Sequence, residues 1–298
     1  MRLAAFALAA ALATVPSCDR KPAGPLRAPT QIVFQTARTG SLDVYAANPD
    51  GTDPFDITRL GGNETAPSLS PDGRWIVFVS DRHGYLQGTL DVVRIDGTGR
   101  RAMPVRGDAE LPAWSPDGRR IAFVSTRNGN PDVYVVDVAG GHEHRVTATP
   151  GLDTHPSWSP DGRRLVFAGR RSGRSEIYVV DIATRRVRRL LRTPTQDSDP
   201  AWSPDGRWIA FSREEGGIDH LYVVGADGRG ARRLTDVPAN DQGAAWSPDG
   251  SRIAFTRGHG ADAELWSIRT DGTDARKLTE THTDECCISW GPVVSGGR

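Results

Sequence analysis

Trp114-Ser115-Pro116-Asp117-Gly118, followed by Ile121-Ala122-Phe123-Val124, decides how this chain folds. Ser-Pro-Asp-Gly recurs at 70–73, 115–118, 159–162, 203–206 and 247–250, so successive copies start 45, 44, 44 and 44 residues apart. The residue before each serine is Leu69, Trp114, Trp158, Trp202 and Trp246, and Trp290 stands a further 44 residues on. Self-similarity at this period marks a repeat architecture. Within the motif, proline presets φ at the first central turn position, aspartate suits the second, and glycine relieves the exit.

Each copy reads as four short strands. An extended segment such as Pro112-Ala113-Trp114 enters the turn, and a second strand leaves it: Ile121-Ala122-Phe123, Leu165-Val166-Phe167, Ile209-Ala210-Phe211 or Ile253-Ala254-Phe255. A third follows a polar hairpin, as in Asp132-Val133-Tyr134-Val135-Val136, and an Asp-Gly hairpin such as Asp227-Gly228 leads to a fourth. β-Branched and aromatic enrichment with closely spaced turn signals argues strand, and no run of helical period competes. Four antiparallel strands in about 44 residues make one propeller blade.

The predicted fold is therefore all-β, a six-bladed β-propeller of four-stranded antiparallel blades. Ile32-Val33-Phe34 supplies the sixth copy of the second strand, ahead of the first Ser-Pro-Asp-Gly. That first blade lacks an inner strand, and Cys286-Cys287-Ile288-Ser289-Trp290 occupies the place of the next one. The C-terminal strand is expected to complete the first blade and close the ring, which removes exposed sheet edges.

The expected domain layout is a signal peptide at 1–17, a tether at 18–30, the propeller at 31–292 and a tail at 293–298. Arg2 followed by an apolar, alanine-rich run reads as a secretory signal, too short to be a convincing membrane span. Val15-Pro16-Ser17-Cys18 reads as a lipoprotein box with Cys18 as the lipidated residue, and Ala11-Leu12-Ala13 as the competing site of ordinary cleavage. The protein is thus expected to be exported, periplasmic or lipid-anchored to a bacterial envelope membrane, touching membrane only through that anchor. Its 37 basic and 37 acidic residues offer no bulk attraction for nucleic acid. Cys286 and Cys287 are adjacent on a strand, so they are expected to face opposite sides as separate thiols; a strained vicinal disulfide is the alternative.

The repeat Asp-x-x-Pro-x-Trp-Ser-Pro-Asp-Gly-Arg, then Ile-Ala-Phe and Asp/Glu-Ile-Tyr-Val-Val-Asp, is clearest at 153–180 and 197–224. It resembles the TolB-like β-propeller repeat family. The resemblance implies the propeller fold and a role in binding partners in the cell envelope. It covers the propeller only, since TolB proper also carries an α/β domain before its propeller, where a dozen tether residues stand here.

In a propeller the Ser-Pro-Asp-Gly turns share one face, and the starts of the inner strands share the other with the variable second-to-third-strand loops. Variable loops on a rigid scaffold are the expected place for binding. Arg82, Arg127, Arg171 and His155 are the candidate ligand-binding residues there. Five residues before each tryptophan, or its equivalent, stand Glu64, Ala109, Asp153, Asp197, Asp241 and Glu285. Converging carboxylates repel unless something offsets their charge. Glu64, Asp153, Asp197, Asp241 and Glu285 are therefore candidate ligands for Ca²⁺ at the channel mouth. The competing expectation pairs them with arginines that end the second strands (Arg38, Arg82, Arg127, Arg171, Arg213, Arg257).

Enzyme signals are poor: neither Gly-x-Ser-x-Gly nor His-Glu-x-x-His occurs. His142 and His144 fall in a Gly-rich hairpin and read as solvated, whereas His155 lies at an inner-strand start beside Asp153. The expected function is non-enzymatic binding of a peptide or protein segment at the channel mouth by a monomer. The alternative is a propeller enzyme of carbohydrate lyase or lactonase type, with a channel metal near Asp153, His155 and Asp197.

Overall fold

The computed structural model describes residues 30–59, 62–81, 88–281 and 283–292. The signal segment, Cys18, the tether up to residue 29, Arg82 and the tail 293–298 lie outside the described residues. The described strands form six four-stranded antiparallel sheets. In blade 5, for example, the inner strand Asp197–Trp202 pairs with Trp208–Glu215, then Ile218–Gly225, then Arg232–Arg233.

Blade 1 is completed from the far end of the chain. Its inner strand, Glu285–Pro292, pairs antiparallel with Thr30–Thr36, setting Ile32 against Trp290 and Thr36 against Glu285. The six inner strands contact one another in a closed cycle around the axis. Serine hydroxyls stitch neighbouring blades: the backbone N–H of Leu69 donates to Ser289 Oγ (3.1 Å), that of Trp114 to Ser68 Oγ (3.2 Å) and that of Trp202 to Ser157 Oγ (3.1 Å).

The repeated turn is closed by its own side chains. Ser159 Oγ donates to Asp161 Oδ1 (2.6 Å) and accepts the Arg164 N–H (2.9 Å), while Asp161 Oδ1 also accepts the Arg163 N–H (3.0 Å). At the exit of the next turn Gly206 has φ +72°, and a Cβ there would stand 3.5 Å from Pro160 of the preceding blade. Glycine thus gives both the positive φ and close turn-to-turn packing.

Each second strand contributes one phenylalanine to the core. Phe34, Phe78, Phe123, Phe167, Phe211 and Phe255 are wholly buried. Two of them stack on third-strand tyrosines, with ring centroids 5.7 Å apart for Phe123–Tyr134 and 5.8 Å for Phe167–Tyr178, and Phe211 meets Tyr222 in a tilted pair at 5.7 Å. Burying such a side chain is worth about 2–3 kcal/mol, so the phenylalanine positions anchor the blades one by one.

Candidate functional site: the channel wall and its buried ion pairs

A β-bulge in every inner strand shapes the channel. In blade 4, Thr154 pairs with Ala168 and Ser157 with Val166, so His155 and Pro156 together oppose Phe167. The same two-against-one count places Ala66-Pro67 opposite Phe78, Leu111-Pro112 opposite Phe123 and Asp199-Pro200 opposite Phe211. Gly243-Ala244 opposes Phe255, and Cys287-Ile288 opposes Phe34. Proline has no N–H for a ladder and is confined in sheets to edge strands and bulges, and these inner strands offer both. The first bulge residue has positive φ in all six blades: Ala66 49°, Leu111 49°, His155 51°, Asp199 50°, Gly243 68° and Cys287 54°. Bulges re-aim side chains, and these six residues line a central cavity of about 680 Å³ that runs on to the Ser-Pro turns.

The wall so formed is asymmetric. Ala66, Leu111 and Gly243 offer small or apolar surface. Between Leu111 and Gly243 around the ring, His155 Nε2 lies 3.1 Å from Asp199 Oδ1. At the remaining blade the Sγ atoms of Cys286 and Cys287 are 3.3 Å apart, both residues half-buried. This corrects the expectation that the two cysteines face opposite sides: the positive φ of Cys287 interrupts the alternation on which that expectation rests.

The carboxylates expected at the channel mouth are placed differently. Glu64, Asp153, Asp197, Asp241 and Glu285 are wholly buried, and none of them lines the central cavity. Each meets a guanidinium: Glu285 meets Arg38 at 2.6 Å, Glu64 meets Arg100 at 3.0 Å and Asp153 meets Arg171 at 2.9 Å. Arg213 holds Asp197 at 2.8 Å and Arg257 holds Asp241 at 2.7 Å. The guanidiniums lie over the blade aromatics, Arg171 at 4.0 Å from the Tyr178 centroid and Arg257 at 4.5 Å from that of Trp266. Burial pushes the Asp153 and Asp197 carboxyls above the ordinary aspartate range, against the pull of Arg171 and Arg213.

Blades 2 and 3 add further partners. Glu64 takes Arg100, which also binds Asp91 at 2.7 Å, from outside the second strand. Blade 3 has Ala109 at the carboxylate position, and there Arg127 pairs instead with Glu143 of the fourth strand. Asp108 of that blade accepts from Ser125 Oγ, Thr126 Oγ1 and the Thr126 N–H.

A donor set already engaged by guanidinium and shielded from the channel does not fit a bound Ca²⁺. Among the described residues no three His, Cys, Asp or Glu side chains gather as a metal site. Asp153, His155 and Asp197 are not brought into one group either, since both aspartates bind arginine while His155 turns to Asp199. Of the candidate ligand-binding residues, His155 lines the cavity, and Arg127 and Arg171 are used within their blades. Sequence reasoning missed Leu111 and Asp199; the signal was the proline three residues after the Asp153-type position in four of the blades (Pro67, Pro112, Pro156, Pro200), a residue that sheets accept at edges and bulges.

The family model of the TolB beta propeller domain matches residues 92–191 and 174–292. A curated relative, the protein TolB homolog of Chlorobium chlorochromatii, is 32% identical over 124 residues, 42% of this chain and 28% of its own length. The chain thus spans under a third of that relative. Among solved structures, TolB from Acinetobacter baumannii superposes with a TM-score of 0.77 at 23% identity, over 88% of this chain and 66% of that one. A putative TolB from Agrobacterium tumefaciens gives 0.68 at 22% identity, over 89% and 99%. With the repeat, the six closed blades and the family match over residues 92–292, the chain belongs to the TolB β-propeller domain family.

Proposed function

We propose that this protein is a non-enzymatic binding module of the bacterial cell envelope, exported and lipid-anchored through Cys18, which takes a peptide or protein segment into the central channel. The observation that carries this reading is the cavity wall. Of six bulges, five hold a non-glycine residue at positive φ and aim five dissimilar side chains at one cavity, with Gly243 at the sixth, while their buried neighbours hold the blades together. Strain of this kind persists where the surrounding structure fixes it, and it tends to cluster at functional sites. A wall that is apolar at Leu111 and polar at His155 and Asp199 suits an extended segment with one apolar and one polar side. Similarity to TolB proteins supports an envelope role.

The test is capture from an envelope extract by the full chain and by two variants. Leu111→Trp narrows the cavity, and Asp117→Asn alters a turn residue that does not line it. Captured partners should be lost with Leu111→Trp and kept with Asp117→Asn. Equal capture by both variants would place binding elsewhere.

A further inference from the structure

We propose that Cys286 and Cys287 form a dithiol–disulfide exchange site in the wall of the central channel, with a small-molecule or protein disulfide as its oxidant. The argument starts from geometry. Neighbouring side chains on a regular strand point to opposite faces, yet here the two sulfurs are 3.3 Å apart because Cys287 occupies the first bulge position with φ +54°. Both cysteines are half-buried and both line the cavity, so a reagent that enters the channel reaches them.

The two thiols are not equivalent. The hydrogen bond from Cys286 holds the Cys287 thiol down, against burial, while the same contact and burial push Cys286 up. The carboxylates of Asp199 and Asp284 oppose that shift without reversing it. Cys287 is thus the attacking sulfur and Cys286 the resolving one.

In the first step the Cys287 thiolate attacks one sulfur of R–S–S–R′, forming a mixed disulfide and releasing R′S⁻. In the second, Cys286 gives up its proton and attacks Cys287 Sγ, releasing RS⁻. The protein dithiol loses two electrons, the external disulfide gains them, and the two thiol protons end on RSH and R′SH.

Zinc is a poorer occupant. Tetrahedral Zn–S bonds near 2.3 Å need sulfurs about 3.8 Å apart and two further ligands, and no such group gathers among the described residues. Adjacent Cα atoms lie about 3.8 Å apart, closer than the 4.4–6.8 Å of about every relaxed disulfide. The closed ring is therefore strained and readily reduced, as befits a reversible site rather than a structural bond. The proposal stands whether or not the channel takes a peptide.

The test treats the folded full-length chain with oxidised glutathione, blocks free thiols with iodoacetamide and digests with trypsin. Both cysteines fall in the peptide 278–298, which separates them from Cys18. The expected product is that peptide unalkylated and lighter by two hydrogens, taking up two alkyl groups after dithiothreitol. Cys286→Ser should instead stop at a glutathione adduct on Cys287. A doubly alkylated wild-type peptide after oxidation, or a glutathione adduct that never resolves, would overturn the proposal.

Discussion

His155 Nε2 lies 3.1 Å from Asp199 Oδ1, joining the bulges of blades 4 and 5 across the channel wall. The two occupy equivalent positions with matching φ of 51° and 50°. The His155 side chain is 42% exposed, and polar side-chain contacts open to solvent contribute little to stability. Replacing both residues with alanine should therefore leave the melting temperature close to wild type while weakening ligand capture. A circular dichroism melt and a binding assay on one preparation separate the two effects. A large loss of stability would make the pair structural.

The closing strand behaves oppositely. Glu285–Pro292 supplies the inner edge of blade 1, accepts the Leu69 N–H through Ser289 Oγ, and donates from the Trp290 indole to Thr30 Oγ1 at 3.2 Å. Deleting residues 284–298 leaves an unpaired sheet edge and strips Arg38 of its carboxylate. Removing one partner of a buried ion pair alone costs about 3–5 kcal/mol, a large part of a domain's stability. Calorimetry should show loss of the cooperative transition. A melt within a few degrees of wild type would mean the ring does not depend on this closure.

The blade count and its closure were legible in the sequence because turn chemistry is local: Ser159, Asp161 and Gly162 make their turn with each other. The missing inner strand of blade 1 followed from counting the Ile32-Val33-Phe34 motif against the tryptophans. Arginine partners such as Arg213, which stands opposite Asp197 in the strand register, could also be anticipated. What faces the axis could not be read by alternation, since one bulge shifts the register between Ser198 and Ala201 and turns Asp199, not Asp197, toward the channel. The cysteine geometry was hidden for the same reason.

Cys18→Ala tests the anchor. With Cys18 lipidated, the wild type should partition into the detergent phase. The variant should be retained as a precursor or released in soluble form by cleavage after Ala13. Unchanged partitioning of the variant would remove lipidation at Cys18.

Asp197 and Arg213 give the sharpest test of what holds the carboxylate ring. The Asp197 side chain is wholly buried, and the guanidinium reaches its two oxygens at 2.8 and 3.2 Å. Arg213→Met keeps much of the aliphatic stem but removes the guanidinium that lies over Tyr222 and leaves a carboxylate in the blade without its cation. At neutral pH this should cost about 3 kcal/mol. Burial already raises Asp197 above an ordinary aspartate, and loss of the cation raises it further. A carboxyl with a raised folded-state pKa binds its proton first in the folded state as pH falls, so stability is gained through that range and lost again as pH rises. The Arg213→Met deficit should therefore shrink from neutral pH toward acid, whereas Asp197→Asn, neutral throughout, should show no such recovery. Urea titrations at several pH values measure both. Because the same arginines occupy the carboxylates, adding Ca²⁺ to the wild type should leave its melting temperature unchanged. A Ca²⁺-dependent rise, abolished by Asp153→Asn, Asp197→Asn and Asp241→Asn together, would mean that a cation and not arginine offsets the ring.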